Sequence, residues 1–191
     1  MDGLIFTTAR LAVRKATEAD TDLFEALWRN PRVMRHVGFP YGLPITRAEI
    51  ATQLARQAAQ DGEFDCRLVA LLRATGESVG ECKLGAPDAQ GIAHTDVKLL
   101  PQFWGQRYGV ELKQGLVNYL FRHTGCTAVS ATPNVNNVAS IKMQAAVGGV
   151  PVSEGVFEFP AALRDTTTPV RHIVYHVSRA AWEKQQARPE N

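Results

Sequence analysis

The sequence contains no apolar run long enough to cross a membrane and no dense cluster of lysine and arginine. A membrane-spanning helix needs about 20 consecutive apolar residues, so we expect no membrane partner. Lysine and arginine number 21 against 19 aspartates and glutamates, and the resulting net charge of +2 is too small to indicate a nucleic-acid partner. The first residues also lack the basic and apolar regions of a signal peptide, which predicts a cytoplasmic protein.

Cysteine is scarce as well. Cys66, Cys82 and Cys126 are the only three, they are far apart, and each lies in an apolar run typical of a strand. An odd number of widely spaced cysteines matches neither a disulfide framework nor the ligand spacing of a zinc site. We therefore expect reduced thiols in the core, no disulfide and no bound metal.

The composition is that of a folded globular domain. Of the 191 residues, 45% are hydrophobic and 21% are charged, and no repeat, linker or low-complexity segment interrupts the chain. A chain of this length can bury a substantial core. We expect one domain, residues 1–191.

Apolar periodicity and turn residues predict the order of the elements. Two capping signals, Thr17 with Asp20 and Thr46 with Glu49, begin helices that end near residues 29 and 61. The strands first follow one another in hairpins and then alternate with helices, which favours an α+β fold with one sheet of mixed pairing. Strands are predicted at residues 10–14, 66–72, 78–85, 93–100, 126–132, 150–159 and 171–178, and the polar tail 187–191 is expected to fray.

The segment 94–149 is the most informative part of the sequence, because it reads as strand, glycine turn, helix, strand and helix. The turn contains Gly105 and Gly109, and the helix after it carries apolar residues at spacings of three and four as far as Phe121. Lys113 and other polar residues lie elsewhere around this helix. A glycine turn before a helix leaves backbone N–H groups free at the helix start, where the helix dipole also attracts anions. The segment therefore predicts a phosphate-binding site.

Three sets of residues carry a resemblance to a known family. Residues 101–111, PQFWGQRYGVE, resemble the acetyl-CoA pyrophosphate loop of the GNAT N-acetyltransferases. The sequence NVAS at 137–140, followed by a helix and a Gly-Gly pair, resembles the second cofactor-binding segment of that family. The pair Trp104-Gly105, together with residues 8–14, 19–20 and 30–34, resembles the RimJ/RimL branch of ribosomal-protein N-terminal acetyltransferases.

This resemblance, which covers nearly the whole chain in the same order, implies both a fold and an activity. The implied fold is a GNAT-like α+β fold, whose single mixed, mostly antiparallel and twisted sheet is flanked by about four helices and splayed at the acetyl-CoA site. The implied enzyme is an acetyl-CoA-dependent N-acetyltransferase that passes the acetyl group directly to a primary amine. No cysteine or serine lies in a histidine-paired motif, so we expect no covalent acyl-enzyme.

The resemblance also implies a set of cofactor-binding residues. Asn137 is expected to reach the pantetheine amides and also to cap the helix that follows. A backbone N–H at Leu99 or Leu100 is expected to stabilise the oxyanion. The full predicted set is Leu99, Leu100, Gln102, Trp104, Gly105, Gln106, Arg107, Tyr108, Gly109, Val110, Asn137 and Lys142.

Arg107 departs from the family loop, in which a small residue at this position lets the backbone approach the pyrophosphate closely. The arginine side chain either turns outward or brings a guanidinium to the phosphates as an added charged donor. A third alternative is that it weakens cofactor binding.

Acetyl transfer requires a base for the amine, a donor for the oxyanion and a proton for the departing thiolate. His94, Asp96 and Lys98 alternate along one strand and so share one face. His94 is the first candidate base, because histidine has an ordinary pKa of about 6.5, and Asp96 is the second. The alternative is that these residues form an ordinary solvated strand face without a catalytic role. Lys98 is expected to be a surface charge. In many relatives a tyrosine protonates the departing thiolate, and Gln144 stands at about that position here. The branch resemblance implies that Ser140 supplies the proton instead. Ser140 could equally serve only as a hydrogen-bond partner at the start of the helix.

The acceptor is expected to be a primary amine, and the branch resemblance implies the α-amino group of a protein or peptide. A small-molecule amine, such as an aminoglycoside, a polyamine or an amino acid, is the alternative within the same enzyme class. A non-catalytic acyl-CoA-binding domain is the alternative from another class, and Arg107 and the missing tyrosine are the features that favour it. The chain is expected to act as a monomer or a homodimer.

Overall fold

The computed structural model describes residues 3–60 and 62–187. In this part of the chain, eight strands form one sheet in the order β1-β2-β3-β4-β5-β6-β8-β7. The pairing of β5 with β6 is parallel and the other six neighbouring pairs are antiparallel, as the predicted mixed, mostly antiparallel sheet requires. The strands are β1 (Leu4–Thr7), β2 (Leu11–Lys15), β3 (Cys66–Leu72), β4 (Ser78–Pro87), β5 (Ile92–Leu99), β6 (Ala128–Ala131), β7 (Val150–Phe157) and β8 (Val170–Ser178).

Six α-helices flank the sheet within the described residues, two more than the approximate number predicted. They are α1 (Thr21–Trp28), α2 (Pro31–Met34), α3 (Arg47–Ala58), α4 (Tyr108–His123), α5 (Val138–Ala146) and α6 (Arg179–Gln186). The additional helices are α2, a single turn that Asn30 caps by accepting from the Arg32 N–H, and α6. No helix of the described ranges is both long enough and apolar enough to cross a bilayer.

Of the two predicted capping signals, one marks the start of an α-helix and the other marks the start of a short 3₁₀ turn. Thr46 and Glu49 form the predicted capping box of α3, since each side chain accepts from the other residue's backbone N–H. The Thr17–Asp20 pair instead begins a short 3₁₀ turn before α1, and the Asp20 carboxylate receives two hydrogen bonds from Arg14 at 2.8 and 2.6 Å. Helix α3 ends at Ala58, earlier than predicted. Asp61 and residues 188–191, where a helix end and a frayed tail are predicted, lie outside the described residues.

Each face of the sheet has its own core. Strand β3 shows the alternation, because Leu68 packs with α4 and Trp182 of α6, whereas Val69 packs with Phe24 of α1 and Ile50 of α3. The three cysteines are buried, free thiols in or beside the α4 face, as expected. The sheet therefore separates two compartments, one under α4 and one under α1–α3.

The sheet opens between β5 and β6, its fifth and sixth strands. Pairing of β5 with β6 extends only from Ile92↔Ala128 to His94↔Ser130, while β5 continues to Leu99 alongside β4. From Thr95 onward, the edge of β5 that faces β6 has no strand partner in the described chain. This opening is the predicted splay, and we call the space between the two strands the wedge.

Candidate active site

A groove of about 1130 Å³ passes through the wedge and connects the two faces of the sheet. On one face it runs along the first turns of α4 and α5, where Gly109, Lys113 and Ser140 line it. On the other face it is bordered by the α2 region and by β8, which contribute Arg32 and His172. Two ligands that enter from opposite faces can therefore meet inside the wedge.

The turn before α4 has the backbone geometry of an anion site. Gly105 and Arg107 both have positive φ, 76° and 64°, and they aim the chain into the helix. The Glu111 N–H is the first to bond within the helix, to the Arg107 carbonyl at 3.1 Å. The N–H groups of Tyr108, Gly109 and Val110, which also line the groove, are thus left without intrahelical acceptors. Three free donors at the start of a 16-residue helix fit the diphosphate of coenzyme A.

Helices α4 and α5 approach each other closely beside this site. A Cβ on Gly109 would lie 3.2 Å from Met143 Sδ and 3.6 Å from Leu99 Cδ1, so glycine keeps the helix start near β5. At the start of α5, Asn137 Oδ1 accepts from the Ser140 N–H at 3.1 Å. Asn137 is therefore a helix cap, and both Asn137 and Lys142 line the groove.

Nine of the twelve predicted cofactor residues line the groove, and Leu100, Gln102 and Gln106 do not. Leu100 packs between the two cores, and its N–H donates to the Val79 carbonyl at 3.0 Å. The Gln106 amide folds back onto the Gln102 carbonyl at 2.9 Å, and Gln106 faces a separate cavity between β1 and α4. The structure thus places these three residues outside the groove, and their contact with the cofactor stays a prediction.

Leu99 differs from Leu100 in the direction of its N–H. Because backbone groups alternate along an antiparallel pair, the bond from Leu100 to β4 turns the Leu99 N–H toward the wedge. The Leu99 carbonyl accepts from Trp104 Nε1 at 2.9 Å, which fixes the end of β5 against the turn. Leu99 is consequently the better placed of the two predicted oxyanion donors.

The predicted face of β5 is present, but its residues have different surroundings. His94 is 56% exposed, and its Nε2 lies 3.7 Å from Asp88 Oδ2. Asp96 forms an ion pair with Lys98. Desolvation alone would raise the pKa of the Asp96 carboxyl, but the Lys98 ammonium lowers it below its ordinary value on balance.

Lys98 itself was expected to be a surface charge, and that expectation is wrong. Its side chain is only 9% exposed, and it lies between Asp96 and the buried Glu81, with Nζ 3.4 Å from Glu81 Oε1. Burial would lower the pKa of Lys98, but the two carboxylates raise it above its usual value.

Glu81 is a buried charge that the sequence analysis missed. It is 1% exposed and accepts from Trp28 Nε1 at 2.6 Å and from Arg67 Nη1 at 3.1 Å. The available signal was a lone acidic residue in the strand before β5, and the structure places it at the register position of Lys98. Glu81 thus anchors Lys98 and, through it, Asp96.

Lys113 was also missed as a site residue. It is 1% exposed, lines the groove on the α4 side and donates from Nζ to Thr95 Oγ1. Thr95, at the closed end of the wedge, donates in turn to the Ser130 carbonyl at 3.2 Å. Burial lowers the pKa of the Lys113 ammonium to about 7, although Asp96 and the Cys82 thiol act in the opposite direction. Its position one turn after Gly109 was the available signal.

The start of α5 holds the two remaining predicted positions. Ser140 lines the groove, and its backbone N–H is bonded to the Asn137 cap. Gln144, which stands where many relatives have a tyrosine, is 3% exposed and lines the same groove.

Comparison with known proteins identifies the family. A model of the acetyltransferase (GNAT) domain matches residues 10–150. An uncharacterized N-acetyltransferase p20 of Bacillus licheniformis is 25% identical over 137 residues, which are 71% of this chain and 76% of the relative. Two solved structures of Vibrio cholerae proteins share the fold.

The first of these structures is assigned as a ribosomal-protein-serine acetyltransferase, with a TM-score of 0.73, 17% identity and coverage of 93% of this chain and 98% of that chain. The second is spermidine N-acetyltransferase in complex with CoA and spermine, with a TM-score of 0.75, 15% identity and coverage of 92% and 99%. The match to the domain model covers well over half of this chain, and it confirms the predicted enzyme class, an acetyl-CoA-dependent N-acetyltransferase. The chain therefore belongs to the GNAT acetyltransferase family.

Proposed function

We propose that the protein transfers an acetyl group from acetyl-CoA directly to the α-amino group of a peptide or protein, within one ternary complex. The observation that carries this proposal is the groove through the wedge, which joins the free N–H groups at the start of α4 to the face that holds His94. The cofactor is expected to occupy the α4 side and the amine to enter from the α1–α3 side.

The residues of the α4 side have the chemistry needed to hold acetyl-CoA, which supplies the acetyl thioester. The N–H groups of Tyr108, Gly109 and Val110 would bind the diphosphate, and the exposed Lys142 adds positive charge nearby. The Asn137 amide retains free hydrogen-bonding capacity for the pantetheine amides while its carbonyl oxygen caps α5. The Leu99 N–H, turned toward the wedge, would stabilise the oxyanion.

His94 is the proposed base. It lines the acceptor side of the groove and is exposed enough to exchange protons with water. Asp96 is less suited to this role, because its lowered pKa and its ion pair with Lys98 make the carboxylate a weaker proton acceptor. Ser140 would donate a proton to the departing thiolate from the α5 side. The three cysteines are buried outside the groove, which supports direct transfer over a cysteinyl intermediate.

The assignment to a peptide α-amino group rests on the RimJ/RimL resemblance and on the fold shared with a ribosomal-protein-serine acetyltransferase. The small-molecule alternative rests on the same kind of likeness, since the spermidine N-acetyltransferase also shares the fold. The cytoplasm is the proposed location, and the three unbridged thiols suit a reducing compartment.

The test combines cofactor binding with turnover. Calorimetric titration with acetyl-CoA should show micromolar binding, and NADH should show none. Release of CoA thiol should then occur with peptides that have a free N-terminus and not with the same peptides acetylated at the N-terminus. Binding without thiol release from any amine would support the non-catalytic alternative, and turnover of polyamines or aminoglycosides alone would assign a small-molecule acceptor.

A further inference from the structure

The groove is rich in positive charge, whereas the chain as a whole is nearly neutral. Lysine and arginine barely outnumber aspartate and glutamate in the sequence, 21 to 19. Among the described residues, by contrast, the groove is lined by seven of these basic residues and by one carboxylate, that of Asp96. The basic residues are Arg32, Arg35, Lys83, Lys98, Arg107, Lys113 and Lys142.

Three of the seven belong to the cofactor side. Arg107 precedes α4, Lys113 lies one turn after its start and Lys142 is on α5, so an anionic cofactor accounts for this part of the excess. The other four lie on the opposite side. Lys83 and Lys98 project from β4 and β5 on the face of Glu81 and His94, and Arg32 and Arg35 come from the α2 region that packs over that face.

Only one of these four acceptor-side cations has an anionic partner in the described chain. Lys98 is neutralised by Asp96 and by Glu81 beneath it. No carboxylate of the described residues lies within 4.0 Å of Arg32, Arg35 or Lys83, all of which are exposed. The Arg32 guanidinium lies over the Trp104 ring at 5.2 Å, a contact that orients it without removing its charge.

The acceptor side also has an apolar wall. Phe39 and Phe159 meet edge to face with ring centroids 5.2 Å apart, and Phe157 packs on Phe159 at 4.9 Å. The three rings line the groove, Phe39 from the segment after α2 and the other two from the end of β7 and the residues after it. An acceptor is therefore met by both cations and aromatic rings.

We infer that the acceptor amine belongs to a molecule with an anionic group close to the amine, and that for a peptide this is an acidic side chain within the first few residues. The reason is charge complementarity. Arg32, Arg35 and Lys83 attract a carboxylate or phosphate and repel a polycation, so polyamines and aminoglycosides are disfavoured. The inference rests on the proposed function and specifies its substrate.

The experiment measures CoA release with two peptide series that begin with the same serine. One series continues with aspartate and glutamate and the other with lysine and arginine, and spermidine is a third acceptor. The acidic series should have a kcat/KM at least about tenfold higher than the basic series, a preference that shrinks as salt is added because exposed charges are screened. Free amino acids are tested as further acceptors, because their turnover shows whether the recognised carboxylate can belong to a small molecule or must lie within a peptide.

A double variant, Arg35→Gln with Lys83→Gln, tests the residues themselves. The KM for the acidic peptide should rise about tenfold, while the KM for acetyl-CoA stays unchanged, since neither residue lies on the α4 side. Arg56→Gln, an exposed change on α3 away from the groove, serves as the matched control. A rise in the KM for acetyl-CoA alone would assign these cations to the cofactor and overturn the inference.

The remaining outcomes separate the inference from the proposed function. Turnover of the basic peptides or of spermidine equal to that of the acidic peptides would overturn the inference and leave the acetyltransferase intact. Absence of thiol release with every acceptor would contradict the proposed function and the inference with it.

Discussion

His94 and Asp96 stand two residues apart on the same face of β5, yet their surroundings give them different proton chemistry. Asp96 is held by Lys98, which in turn rests on the buried Glu81. An ammonium beside a carboxylate stabilises its charged form and so makes it a weaker base. In the described ranges the one carboxylate near His94 is that of Asp88, 3.7 Å from its Nε2, and His94 is open to the groove. The proton from the amine is therefore expected to pass to His94.

Replacement of His94 by alanine tests this assignment. The kcat should fall about 100-fold, in the range lost with a general base, while the KM for acetyl-CoA stays unchanged. Because the site is half-exposed, added imidazole should restore part of the activity. Asp96→Asn is the matched variant and should lose less activity. A kcat for His94→Ala close to that of the parent, or a larger loss in Asp96→Asn, would contradict the assignment.

For individual residues of a strand, the sequence predicts which side chains share a face, because strand alternation is a local property. It does not predict which charges are buried. Glu81 and Lys98 form an ion pair across β4 and β5, and Lys113 reaches Thr95 from a helix eighteen residues away. Each burial depends on a partner from another element, and no local pattern in the sequence specifies that partner.

The element that most directly shapes the cofactor site is the turn before α4. It closes with Arg107 at φ 64° and ψ 10°, a left-handed conformation that costs a residue with a side chain about 1–2 kcal/mol. Glycine, which has no Cβ, would avoid that cost. The Arg107 side chain is exposed and lines the groove, so we propose that its guanidinium contacts the phosphates.

Arg107→Gly separates backbone strain from ligand contact. The free energy of unfolding should rise by up to about 1 kcal/mol as the strain is relieved, and the affinity for acetyl-CoA should fall several-fold as a charged donor is lost. Urea unfolding and calorimetry measure the two quantities. Arg56→Gly within α3 is the control and should lose about 1 kcal/mol, because glycine disfavours a helix interior. Tighter cofactor binding by Arg107→Gly would show that the arginine obstructs the site.

Among the elements, most helices and strands were predictable, and α2, α6 and β1 were not. Helices α3 and α4 and strands β3–β5 follow from capping boxes, apolar spacing and turns. Helix α6 has only eight residues, and its formation depends on Trp182, which packs beside Phe121 and donates to Asn118 of α4 at 2.8 Å. Strand β1 is a four-residue edge strand that depends on β2 in the same way.

The whole molecule has two separate ranges of pH in which its stability should change. Buried carboxylates such as Asp20, whose pKa is lowered on balance by Arg14 although burial opposes it, bind fewer protons when folded. Their contribution is present above the ordinary pKa of about 4 and is lost as the pH falls below it. Lys113 acts in another range, because its pKa is about 7 in the folded protein and 10.5 ordinarily.

Between these two values the unfolded chain binds more protons at Lys113 than the folded chain does, so stability should rise with pH from about 7 to about 10.5. Lys113→Met removes the titrating group while keeping an unbranched side chain of similar length. We expect the variant to be more stable than the parent by about 1–4 kcal/mol at pH 7, as for other buried charges replaced by apolar residues. That advantage should decrease as the pH approaches 10.

Urea unfolding at pH 7, 8 and 9 measures the difference, with Lys184→Met, an exposed change on α6, as the control that should show none. A constant difference across the three pH values would mean that folding leaves the pKa of Lys113 unchanged. A gain in stability that comes with lost turnover would show that the molecule keeps this costly buried amine because the wedge requires it. Equal stability of parent and variant at pH 7 would mean instead that water or a counter-ion reaches Nζ at the closed end of the wedge.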